Sequence, residues 1–114
     1  MNPFAWADSV DVAMTVCDRD GIILYMNEKA MATFAADGGR ALIGKNLMDC
    51  HPESARRKIG RIMESRQANS YTIEKQGLKK LHPPGPLVLK TASWAGVVEL
   101  SIVLPAGMPH FIRR

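Results

Sequence analysis

No run of apolar residues in this 114-residue chain approaches the ~20 that a membrane span needs. The opening residues, Met1-Asn2-Pro3-Phe4-Ala5-Trp6-Ala7-Asp8, have neither the basic region nor the long apolar region of a secretory signal. The expectation is a soluble cytoplasmic domain. Cysteine is scarce: Cys17 and Cys50 sit in different predicted elements, and a disulfide is not expected in a cytoplasmic chain. Two cysteines and three histidines show no zinc-type spacing, so no metal site is expected. There is no glycine-rich phosphate loop. Ser54 follows His51 by three residues, but no third group with an orienting role is evident. Asp18 and Asp20 flank a turn and read as turn formers rather than as paired acids. No catalytic residue is assigned, and the chain is not expected to be an enzyme. The net charge of +4 is too mild to imply nucleic acid by itself. The basic residues Arg56, Arg57, Lys58 and Arg61 read as a solvated helix face, since Glu53 and Glu64 dilute them and stacking aromatics are missing.

What the chain does have is 46% hydrophobic residues, enough for one core. One domain is expected, with an N-terminal arm or short helix over 1–10, a core over 11–104 and a tail over 105–114. Phe4 and Trp6 are large apolar groups for so short an arm, and are expected to pack on the domain or on a partner chain. Met14–Asp18 and Ile22–Met26 read as strands. Asp18-Arg19-Asp20-Gly21 is the turn between them, with Gly21 free to take positive φ. Asn27 is placed to cap a helix over Glu28–Ala36, which Asp37-Gly38-Gly39 stops. Ala41–Cys50 reads as irregular. A long helix follows, with Pro52 in its first turn and Ala55, Ile59, Ile62 and Met63 as its inner stripe. Ser70–Lys75 alternates like a half-buried strand, and Leu78–Leu81 extends the sheet. His82-Pro83-Pro84-Gly85-Pro86 is not expected in a central strand, because proline removes ladder donors. Leu87–Trp94 reads as a further strand, Ala95-Gly96 as a tight turn, and Val97–Leu104 as the last strand. Val98, Leu100, Ile102 and Leu104 share one face of that last strand.

The block from Val16 to Ala30, the Gly44-Lys45-Asn46-Leu47 entry to the connecting helix and the Val97-Val98-Glu99-Leu100-Ser101 strand occur in an order that resembles the PAS domain family. The resemblance covers about Val10 to Leu104. It implies an α+β fold, a five-stranded antiparallel sheet with helices packed on one face. It implies a sensory and protein-interaction module in signal transduction, with a small molecule or partner held between sheet and long helix. The alternative is a ligand-free dimerisation scaffold. PAS domains similar to this one commonly dimerise, so a homodimer through the N-terminal arm or the outer sheet face is expected, with a signalling partner acting in trans. The 82–96 segment departs from the family pattern, either through divergence of an edge hairpin or through a compensated frameshift in the coding sequence.

The candidate pocket is bounded by Met26, Phe34, Leu47, His51, Ile59, Met63, Tyr71 and Leu100, with the Tyr71 hydroxyl to orient a ligand. The cofactor is unknown. Haem-binding PAS domains use a histidine of the long-helix region, which makes His51 the candidate iron ligand; the competing reading is a helix cap before Pro52. Flavin photochemistry is not expected, because Cys50 does not follow Asn46 as the family's reactive cysteine follows its asparagine.

Overall fold

The computed structural model describes residues 5–50, 53, 56–57, 60–61, 70–82, 85–88 and 94–114. A short helix α1 (Ala5–Ser9) leads into strands β1 (Ala13–Asp18) and β2 (Ile23–Met26), then helix α2 (Glu28–Thr33). Three 3-10 turns follow at Ala35–Asp37, Gly39–Leu42 and Leu47–Cys50. The remaining strands are β3 (Tyr71–Lys75), β4 (Leu78–His82), β5 (Gly85–Val88) and β6 (Trp94–Leu104).

The first hairpin forms for the reasons its residues suggest. Asp18 Oδ1 accepts from the backbone N–H groups of Asp20 (2.9 Å) and Ile22 (3.0 Å), and Gly21 takes φ 85°. The 44–47 segment is laced to the same hairpin. Lys45 O accepts from Ile23 N at 2.9 Å, and Ile23 O accepts from Gly44 N at 2.8 Å. The Asn27 side chain is fully buried and accepts from Ala30 N at 2.9 Å, capping α2. Its amide does more than cap. Oδ1 also accepts from Met14 N (3.0 Å), and Nδ2 donates to Ala7 O (3.0 Å) and Val12 O (2.7 Å). One side chain thus joins α1, the start of β1 and the start of α2. Helix α2 ends earlier than its sequence suggests, at Thr33, because the chain tightens into a 3-10 turn through Ala35–Asp37 before Gly38 (φ 126°) reverses it.

The sheet is antiparallel, in the order β2-β1-β6-β4-β3, with β5 also on β6. Leu81 pairs with Ile102 and Gly85 with Val98, so β4 and β5 keep one register against β6. They are two halves of one interrupted strand, and the sheet has the five strand positions that the resemblance implies. Two expectations fail here. His82 does lie in a central strand, at the end of β4 between β3 and β6, whereas Pro86 lies opposite Val97 in β5, which is not a central strand among the described residues. Pro86 is tolerated because β5, among the described residues, pairs only with β6 and leaves its other edge open. Ala95-Gly96 is not a turn but part of β6, with Gly96 opposite Asp18. A Cβ at Gly96 would stand 2.0 Å from Cys17 O, and its φ of 153° suits glycine.

Helix α2 and the 3-10 turns pack on one face of the sheet. Cys17, Ile23, Met26, Ala30, Leu42, Leu47 and Val97 form the buried core there. Burial of side chains the size of Ile23 and Met26 stabilises by about 2 kcal/mol each. Of the expected long helix, Glu53, Arg56, Arg57, Gly60 and Arg61 are helical, with the three arginines exposed. Phe4, Ala55, Lys58, Ile59, Ile62, Met63 and Glu64 lie outside the described residues. Among the described residues no helix is long and apolar enough to cross a membrane.

Candidate functional site

Strand alternation divides the sheet into two faces of different character. The face under the helices carries Ala13, Thr15 and Cys17 of β1 opposite Ser101, Glu99 and Val97 of β6. At its β2 end this inner layer is apolar and close-packed. Thr15, Ile23, Met26, Phe34, Leu42, Leu47 and Glu99 enclose a cavity of about 10 Å³, room for one water.

The polar part of this face begins with Thr15 and Glu99, which also line that cavity. Thr15, 6% exposed, stands opposite the half-buried Glu99. The next row runs Ala13, Ser101, His82, Tyr71 across β1, β6, β4 and β3. Ser101 Oγ lies 3.3 Å from His82 Nε2, and the His82 ring stacks on Tyr71 with centroids 5.5 Å apart and planes inclined by 22°. The two rows are two residues apart on each strand, or about 7 Å. Burial raises the Tyr71 phenol above its usual range, and the Glu99 charge adds to the shift. Burial also raises the Cys17 thiol; a hydrogen bond to the Val97 backbone opposes this, and the charges of Glu99 and Asp18 reinforce it. Glu99 therefore exerts its field on both sides, toward the core cysteine and toward the ring pair.

The outer face is the apolar one at this end. Met14 stands opposite Leu100, Val16 opposite Val98, and Leu81 opposite Ile102, all half-buried in the single chain. Tyr25, opposite Val16, donates its hydroxyl to Asp8 Oδ1 at 2.6 Å and so ties α1 to this side. Burial and the bond and charge of Asp8, with a contribution from Glu28, push the Tyr25 phenol up to about 12. Trp6 does not pack on the domain; it is 62% exposed.

Of the pocket residues expected from sequence, Met26, Phe34 and Leu47 meet around the small cavity. Tyr71 shares their face of the sheet but stands in the polar row with His82. Leu100 is on the other face. Its strand neighbours Glu99 and Ser101 point inward, so alternation turns Leu100 outward with Met14. His51, Ile59 and Met63 lie outside the described residues. Sequence reading missed Thr15, Glu99, Ser101 and His82. The alternation of Glu99 and Ser101 with Val98, Leu100 and Ile102 was visible, but it was the polar set that faced the helices. Among the described residues no cluster of three or more His, Cys, Asp or Glu side chains is placed to hold a metal ion.

A sheet with helices on one face, an α2 cap at its edge and a layer between them is the α+β arrangement of a small domain. A family model described as the PAS fold matches residues 7–77, more than half of the chain. The chain belongs to the PAS family. Similar solved structures include a sensory box sensor histidine kinase from Vibrio cholerae, 19% identical, with a TM-score of 0.65 over 88% of this chain and 87% of that one. The PAS domain of the histidine kinase ThkA is 21% identical, with a TM-score of 0.67 over 82% and 99%. The Aer2 receptor from Vibrio cholerae, described as a dual PAS-heme oxygen sensor, is 17% identical, with a TM-score of 0.61 over 82% and 95%. These likenesses show the fold. No curated protein matches the sequence significantly.

Proposed function

We propose that this PAS sensory domain, a cytoplasmic and non-enzymatic module, responds to a small molecule held against the polar part of the inner sheet face. The response passes to a second copy of the chain through α1 and the outer face. The observation that carries this reading is the inversion of polarity. A layer beneath the helices that serves packing alone is usually apolar, whereas a polar one presents hydrogen-bonding and charged groups of the kind that orient a ligand. Here Thr15, Glu99, Ser101, His82 and Tyr71 occupy that layer, whereas Met14, Val16, Val98, Leu100 and Ile102 stand outside. The apolar outer face and the exposed Trp6 support pairing with a partner.

The ligand-free scaffold is supported by a different observation, the close packing at the Met26–Leu47 end, where the cavity is far smaller than the ~300 Å³ of the smallest usual ligand pockets. The same packing leaves no room for a porphyrin at that end, so a haem role for His51 draws support only from likeness to the Aer2 domain. Native mass spectrometry of freshly purified protein tests the proposal. A retained small molecule on a dimer is the expected result; an empty dimer supports the scaffold. A Soret band after expression with haem supply, lost in His51→Ala, supports the haem reading instead.

A further inference from the structure

We infer that one end of the molecule, the tip of the β3–β4 hairpin together with the segment after β6, docks on the surface of an anionic lipid bilayer. Charge is spread unevenly along the chain. The hairpin and the 105–114 segment carry Lys75, Lys79, Lys80, Arg113 and Arg114 against the single acid Glu74. These account for the whole net charge of +4, and the other residues balance to zero. Among the described residues none of the five cations makes an ion pair; even Glu74, directly opposite Lys79, is not paired with it.

Apolar exposure gathers at the same end. Of the eight large apolar side chains exposed among the described residues, five are Leu78, Val103, Met108, Phe111 and Ile112. The hairpin tip is tight. Gln76 and Gly77 take positive φ (53° and 78°) between the paired Lys75 and Leu78, which fixes a lysine and a leucine at the end of the sheet. Leu104, near the end of β6, stands opposite Lys79, and Pro105 to Met108 line an open groove with Leu78 and Val103. Phe111 and Ile112 follow within four residues of Met108, at most about 14 Å away. They are 70% and 82% exposed, and the Arg113 guanidinium lies 5.6 Å from the Phe111 ring centre. Cations beside projecting apolar side chains suit a lipid surface: the apolar groups enter the headgroup boundary and the cations stay with anionic headgroups. Side chains that project, rather than line a recess, match a fluid layer that they can enter. A second copy of this end would meet like charge.

Co-sedimentation of the full chain with vesicles of phosphatidylcholine alone, and of phosphatidylcholine mixed with phosphatidylserine, tests the assignment. Binding is expected only to the mixed vesicles and is expected to weaken as salt is added. Binding to neither, or equally to both, overturns the assignment. Lys79→Glu is expected to weaken binding at least tenfold, since each cation near an anionic leaflet is worth about fivefold and a reversal counts twice. Lys45→Glu makes the same change of net charge beside β2, at the opposite edge of the sheet, and is expected to cost less than about threefold. Equal losses in the two variants overturn the assignment, because the attraction then belongs to the molecule as a whole. Lys79, Lys45 and Phe111 are all exposed, so the variants leave the core intact. Phe111→Trp reports entry into the bilayer. Its added fluorescence, relative to the unchanged chain, is expected to shift to the blue on mixed vesicles, and an unshifted emission overturns the assignment. Tight binding to polyglutamate with that emission unshifted points to an acidic protein partner instead.

Discussion

The two ends of the inner layer differ in what holds them. Around Asn27 every polar atom of the amide has a backbone partner, and the neighbouring side chains Met26, Ile23, Ala30 and Leu47 are buried and apolar. Around Glu99, Ser101, His82 and Tyr71 the layer is half-buried and polar. The first end is organised for a single structure, since satisfied buried networks specify one packing. The second gives up apolar burial in a place where a folded domain gains most from it. The contrast separates the part of the layer whose buried groups specify one packing from the part that carries half-buried polar groups.

The comparison is broken most severely by Asn27→Ala. Four hydrogen bonds at about 1 kcal/mol each are lost, for a destabilisation of about 4 kcal/mol in urea unfolding. A loss near 1 kcal/mol would mean that the amide is a cap and nothing more. Gly96→Ala tests the seam between β1 and β6. The clash with Cys17 O and the positive φ predict a loss of about 3 kcal/mol by the same measurement. At the polar end, Ser101→Ala should cost less than about 1 kcal/mol, because it removes one half-buried hydroxyl from a 3.3 Å contact. A loss as large as that of Asn27→Ala would erase the distinction.

Leu100→Lys addresses the outer face. It should leave the far-ultraviolet circular dichroism spectrum unchanged and weaken the proposed dimer at least tenfold in light scattering. The smallest effect is expected at α1, where Tyr25→Phe should cost about 1 kcal/mol or less near neutral pH. Here the pH dependence is the sharper measurement. The folded phenol is pushed up to about 12 from the usual 10, so its stabilisation is complete below about 10 and is lost as pH rises toward about 12. Phenolate absorbance should follow that range, and Tyr25→Phe should remove this contribution to alkaline unfolding.

How much of this was legible in the sequence depended on whether the signal was local. Asp18, Gly21 and Asn27 announce a turn and a cap through bonds to residues within four positions, and the structure makes those bonds. The longer-range bonds of Asn27 to Ala7, Val12 and Met14 had no such signature. The faces of β6 were misread for a physical reason. Val98, Leu100 and Ile102 form the apolar set, and the usual inference places an apolar set against the helices. Only the pairing of Val97 with Cys17 fixes the opposite sense. Pro86 fits the proline rule, since among the described residues its strand β5 pairs only with β6. His82 went unconsidered with the prolines that follow it, although it ends β4 beside Tyr71.

Asn27 has one more consequence, for exchange rather than for stability. The amide protons of Met14 and Ala30 are both held by the single atom Oδ1, although they belong to a strand and a helix thirteen and three residues away. If a partner draws α1 from the sheet and the Asn27 amide rotates with it, both protons become open to solvent in the same event. Correlated deuterium uptake at these two positions would then report the movement of a helix that contains neither of them.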